Sequence, residues 1–127
     1  MTEDIYQKGL AKHRQLFGQD PAARIENIEA LHPDVAELLV ESLYGAILTR
    51  PGLDPKIRQF CTIAALTATG KAPQLKAHVK AALRLGATQE EIMEVLIQMI
   101  GYAGWPSALN GLSVAKEAFA EYDEAGE

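Results

Sequence analysis

The stretch Asp54-Pro55-Lys56-Ile57-Arg58-Gln59-Phe60-Cys61-Thr62-Ile63-Ala64-Ala65-Leu66-Thr67-Ala68-Thr69-Gly70 decides the fold class. Ile57, Phe60, Cys61, Ala64, Ala65 and Ala68 recur at i, i+3, i+4, i+7, i+8 and i+11, the period of one face of an α-helix. Asp54 is a good N-cap and Pro55 a good first-turn residue, while Gly70 suits the position just beyond the C-terminus. The pattern predicts a helix from Pro55 to about Thr69 with that stripe turned inward.

Working outward, every neighbouring segment also reads as helix. Upstream, Arg50-Pro51-Gly52-Leu53 is a break, because Pro51 disfavours helical geometry at Arg50 and Gly52 gives freedom to turn. Before it, a helix from Pro33 to about Thr49 carries Val35, Leu38, Leu39, Val40, Leu43, Tyr44 and Ile47 around most of its circumference. Such a helix must be central or covered by another subunit. Asp20-Pro21 opens a short helix through about Leu31. Asp4 to Phe17 is a polar, peripheral helix anchored by Ile5, Leu10 and Leu16 and stopped by Gly18.

Downstream, Pro73 to Leu85 ends at Gly86. Thr88 and Glu91 form a capping box for a helix whose Ile92, Val95, Leu96 and Met99 share one side. Gly101 to Pro106 interrupts it. A last helix turns Leu112, Ala115, Phe119 and Tyr122 toward the core, and residues 123–127 read as a frayed tail. No strand-like alternation competes. The expectation is an all-α, single-domain bundle of about six helices over residues 1–127.

Composition narrows the function classes. The chain has 127 residues, with 12 basic against 17 acidic side chains, a net charge of -5. That acidity, without a Lys/Arg cluster, argues against nucleic acid or an anionic membrane as partner. The run Leu85-Gly86-Ala87-Thr88-Gln89-Glu90-Glu91-Ile92 has the look of a helix-turn-helix, but a recognition helix opening Gln-Glu-Glu would repel phosphate. A single cysteine makes neither an internal disulfide nor a metal-binding cysteine set. No run of apolar residues reaches membrane-spanning length and the N-terminus lacks a signal-peptide pattern, so the expected location is cytoplasmic.

Few residues are placed to do chemistry. Cys61 falls on the apolar stripe and reads as a small hydrophobe rather than a nucleophile. His78 stands with Leu75, Ala82 and Leu85 on the inner face of its helix. It is either a satisfied core histidine or a donor or general acid facing a pocket. His13 and His32 lie in polar surroundings and read as solvated. Glu41, one turn before Tyr44 and Gly45 on the most apolar helix, is either at the water's edge of the stripe or held in a pocket. Arg50 suits the C-terminal end of that helix. Tyr102 and Trp105 bracket two glycines in the 101–106 break, either as ordinary packing or as a pocket wall.

Read in order, four segments resemble the γ-carboxymuconolactone decarboxylases. Tyr44-Gly45-Ala46-Ile47-Leu48-Thr49-Arg50-Pro51-Gly52-Leu53 resembles their WG-x-I-x-x-RPGL. The segment from Leu75 to Leu83 resembles L-x-x-H-x-x-x-A, Gly86 to Glu94 resembles G-V-T-x-x-E-I-x-E, and Gln98 to Ala108 resembles Q-x-x-x-Y-x-G-x-P-x-A. Tyr6, Gly9, Arg14 and Gly18 match the spacing of the family's first helix. The resemblance implies an all-α fold of the alkyl hydroperoxidase D-like type, assembled as a ring-like homo-oligomer, typically a hexamer. The peroxidase branch of that fold carries C-x-x-C-x-x-x-H; aligned on His78, its cysteines fall at Lys71 and Gln74. Departures from the decarboxylase pattern are Tyr44 for Trp, Ala103 for the Cys of Tyr-Cys-Gly, and Trp105 for a small aliphatic residue.

What the resemblance implies for activity is decarboxylation of γ-carboxymuconolactone, or a related small carboxylated lactone, without a cofactor or metal. His78 and Glu41 would be catalytic; Arg50, Tyr44, Tyr102 and Trp105 would bind substrate. The competing expectations are an alkyl hydroperoxidase-like or other oxidoreductase on the same fold without the redox dithiol, and a non-catalytic oligomeric binding protein.

Overall fold

The computed structural model describes residues 2–18 and 21–126, with the side chains of residues 2, 3 and 21–23 left aside. Among the described residues there is no strand. The helices are α1 (Thr2–Phe17), α2 (Pro21–Leu31), α3 (Pro33–Leu38), a π-helical segment (Leu39–Ile47), α4 (Pro55–Thr69), α5 (Ala72–Arg84), α6 (Gln89–Ala103) and α7 (Trp105–Glu124). None of them is long and apolar enough to cross a membrane. The chain divides into two compact units, residues 1–55 and 56–127.

Helix boundaries follow local chemistry. Gly18, Gly70, Gly86 and Gly104 all have positive φ, a conformation costly to any residue with a Cβ, and each sits where a helix ends. Thr88 and Glu91 make both bonds of the capping box, at 3.0 and 2.9 Å. His32 caps α3 by accepting the Asp34 amide on Nδ1. The expected Asp20 cap lies outside the described residues. Gly101 does not interrupt α6, which continues to Ala103. A mid-helix glycine costs about 1 kcal/mol, too little to end a well-packed helix, and the chain breaks only at Gly104.

In the first unit, α1 lies against the π segment. A Cβ on Gly9 would fall 2.1 Å from the Val40 carbonyl oxygen, and one on Gly45 would fall 2.4 Å from the Ile5 oxygen. Two glycines therefore let backbone meet backbone. The segment's hydrogen bonds run five residues back, as in Leu48 N–H to the Leu43 carbonyl at 2.8 Å. The Ser42 and Thr49 hydroxyls donate to the Leu38 and Gly45 carbonyls, the kind of side-chain competition that distorts a helix. The expected single helix from Pro33 is thus α3 running into a π segment. Its apolar surface is only partly covered within the chain: Val40 and Tyr44 are buried, whereas Val35, Leu38 and Ile47 are exposed.

The second unit is built on Ile63, Leu75, Val79, Ile92, Leu96 and Phe119, with small residues of α7 letting the helices approach. Here the stripe expected on α4 is corrected. The buried face is Gln59, Ile63 and Thr67, while Ile57, Cys61, Ala65 and Ala68 are exposed. Cys61 is therefore a surface residue and not a core hydrophobe. Hydropathy missed the true face because two of its three residues are polar. Thr67 is satisfied by its own helix, donating to the Ile63 carbonyl at 2.8 Å, and Gln59 by a partner on α5.

Candidate active site

His78 lies on α5 beside Val79, one turn from Leu75 and one from Ala82, all buried in the core of the second unit. Those neighbours hold the backbone and leave the imidazole part-buried, turned to α4. There Gln59, 1% exposed, meets it: Nδ1 of His78 and Oε1 of Gln59 are 2.8 Å apart. A carbonyl oxygen only accepts, so Nδ1 carries the hydrogen and donates. The basic nitrogen of the ring is then Nε2. Gln59 thereby orients the imidazole and sets its tautomer, leaving Nε2 as the atom that gains or gives a proton. Gln59 was not foreseen. A polar residue one turn before Ile63 and two before Thr67 was the available signal, and a pattern built on apolar residues passes over it.

The other expected site residues are distributed between the two units. Glu41 is half-buried on the π segment, and Arg50 is exposed beyond it. Tyr44, only 4% exposed, is packed inside the first unit against the rings of His13 and Phe17, with centroids 5.0 and 5.9 Å away. In the second unit, Tyr102 and Trp105 flank the α6–α7 break and are 84% and 61% exposed.

The cluster around Tyr44 overturns one expectation. His13 is not solvated but 1% exposed, edge-on to Tyr44 and tilted against Phe17 at 4.7 Å. Its face of α1 also carries Gly9 and Leu16, and the close approach permitted by Gly9 draws it under the π segment. The Arg24 guanidinium lies over the Phe17 ring, 4.1 Å from its centroid. Burial first, and the Arg24 charge second, lower the His13 pKa from 6.5 to about 4. Burial raises that of Tyr44, with Arg24 opposing. His13 Nδ1 finds no hydrogen-bond partner among the described residues.

Residues 33–117 match the pattern of the carboxymuconolactone decarboxylase family, a span containing the π segment, Gln59, His78 and the α6–α7 break. The chain belongs to that family. Among its relatives is the 4-carboxymuconolactone decarboxylase of Acinetobacter baylyi, 29% identical over 98% of this chain and 94% of that protein. The nitrosuccinic acid decarboxylase npaB of Metarhizium robertsii is 24% identical over 97% of this chain and 87% of its own length. An uncharacterized 15.0 kDa protein of Paracoccus denitrificans is 38% identical over 76% of this chain and 74% of its own. As a carboxymuconolactone decarboxylase family member, the chain has relatives named for removing carboxyl groups from two different substrates. Family membership thus supports carboxy-lyase chemistry without choosing a substrate.

Proposed function

We propose that this protein is a cytoplasmic carboxy-lyase that decarboxylates γ-carboxymuconolactone, or a related small carboxylated lactone, in the breakdown of aromatic compounds. The observation that carries the proposal is the Gln59–His78 pair: an imidazole held in one orientation and one tautomer on a packed helix. The chemistry asks for little more. As the C–C bond to the carboxylate breaks and CO2 leaves, its electron pair spreads through the adjacent ring double bond onto the lactone carbonyl oxygen. The resulting dienolate needs a donor at that oxygen and a proton returned to carbon. Nε2 of His78, in its imidazolium form, supplies that proton while Gln59 continues to accept from Nδ1–H. The ring is then reprotonated from water.

The remaining roles follow from side-chain chemistry. Arg50 would bind the substrate's second carboxylate as a two-pronged donor. Tyr102 and Trp105 would orient the ring and Glu41 would repel the departing carboxylate, while Tyr44, enclosed by His13 and Phe17, would act by holding the π segment in place. The same reading takes the whole chain as one domain that assembles into a homo-oligomer, a hexameric ring. The large exposed apolar side chains Leu31, Leu38, Tyr102, Trp105 and Leu109 support assembly.

The test is CO2 release from γ-carboxymuconolactone formed in situ from β-carboxymuconate, comparing wild type with His78→Gln. Turnover by wild type and its loss in a variant of unchanged oligomeric state are the expected results. Full activity in His78→Gln would remove the acid from the mechanism. A folded wild type inert on this lactone would keep the fold and discard the substrate.

A further inference from the structure

A cavity of about 290 Å3 opens in the second unit where the end of α4, the start of α5 and the first half of α7 converge. Neither His78 nor Gln59 lines it. Lys71, at the N-cap of α5, stands two helical turns, about 10 Å, before His78. The volume lies at the lower end for small-molecule sites, too small for a nucleotide and suited to a short organic molecule.

Its lining divides by chemistry. Leu66, Leu75 and Val114 supply carbon surface, and Gly111 opens the wall of α7. A side chain at position 111 would strike Thr67 at 2.8 Å, so this close approach of α7 to α4 depends on glycine. The polar lining is Thr67, Lys71, Ser107, Asn110 and Ser113; Thr67 donates to the Ile63 carbonyl of its own helix, and the other four side chains have no hydrogen bond or ion pair among the described residues. In a chain with 17 acidic residues, no carboxylate among the described residues lines the cavity. The other nearby lysines of α5 are engaged: Lys76 and Lys80 both reach Glu121. Among the described residues Lys71 is thus a cation without a counter-charge, beside three neutral hydrogen-bonding groups with no partner and an apolar floor.

We propose that this cavity binds a small monocarboxylate with a short apolar body. The carboxylate pairs with the Lys71 ammonium, the Ser107 and Asn110 side chains donate to it, and the carbon chain lies on Leu66, Leu75 and Val114. Because the site is apart from the Gln59–His78 pair, the proposal stands whether or not the lyase reading does.

The probe is hexanoate, added to the 15N-labelled full chain and followed by amide chemical shifts, with hexan-1-ol as the uncharged control. A ligand of this size is expected to bind at about millimolar Kd. The expected result is saturable shifts at Gly70, Ala72, Ser107 and Gly111, with hexan-1-ol and the Lys71→Met variant each weakening binding roughly tenfold. Lys71 is exposed and its side chain holds nothing in place, so Lys71→Met leaves the fold intact, which the same spectra verify. Three results overturn the proposal: no saturable shift in wild type, equal affinity for hexanoate and hexan-1-ol, or shifts centred on Gln59 and His78 with the cavity amides unmoved.

Discussion

Gln59 and His13 are both polar residues 1% exposed, but their situations are opposite. Gln59 has a partner, and its loss would leave Nδ1–H of His78 without an acceptor in a part-buried site, a cost of about 1–3 kcal/mol. Gln59→Leu is therefore expected to lower kcat roughly tenfold or more while KM changes little, since it alters the ring's orientation and tautomer rather than substrate contacts. Gln59→Glu, which keeps an acceptor, should retain more of the activity than Gln59→Leu. His13 instead is a base kept neutral by burial. Its folded pKa of about 4 is below the ordinary 6.5, so in mildly acidic solution the unfolded chain takes up a proton that the folded chain does not. Stability from neutral His13 is complete above pH 6.5 and is lost as pH falls toward 4, by about 3 kcal/mol in total. Urea unfolding followed by circular dichroism at a series of pH values should show that decline, and His13→Leu should flatten it.

At the scale of elements, the first unit depends on two backbone crossings. In Gly45→Ala the new methyl would sit 2.4 Å from a carbonyl oxygen of α1, and no rotamer change relieves a clash with backbone. A loss of about 1–3 kcal/mol is expected, read as a lower urea midpoint at unchanged slope. Gly9→Ala should behave alike, for the same reason at the other crossing. Thr88→Ala should cost about 1 kcal/mol by removing the cap of α6. The α5–α7 contact has its own pH window. The Lys76 and Lys80 ammonium groups hold the Glu121 carboxylate down to about 2, so this contact persists above the ordinary carboxylate range and is lost only as pH falls toward 2. Being solvent-exposed, it is also screened by salt.

For the whole molecule, the prediction concerns surface. Leu38, Tyr102, Trp105 and Leu109 are large, apolar or aromatic, and exposed in the single chain. If assembly covers them, Leu38→Asp or Trp105→Asp should shift the mass measured by light scattering toward monomer while the helical circular dichroism signal is kept. A substitution at the exposed Cys61, such as Cys61→Ser, should change neither mass nor turnover.

Fold class, helix ends and family were legible in the residues themselves, because they rest on local chemistry. Asp54-Pro55, the Thr88–Glu91 box and the glycines at 18, 70 and 86 act within a few residues of where they stand, whereas the break expected over 101–106 begins only at Gly104. His78 was legible too, as a polar group at helical spacing from Leu75 and Ala82. The partners were not. Which face of α4 turns inward was decided by contact, since Gln59 and Thr67 are buried where apolar periodicity favoured Cys61 and Ala65. The burial of His13 required α1 to meet the π segment at Gly9 and Gly45, where Gly9 faces Val40 and Gly45 faces Ile5 from far along the chain. A polar residue can be buried only where a bond or a ring stack compensates it, and that compensation comes from another helix. Tertiary structure alone decided that His78 meets Gln59 and that His13, stacked between rings, has no hydrogen-bond partner for Nδ1 among the described residues.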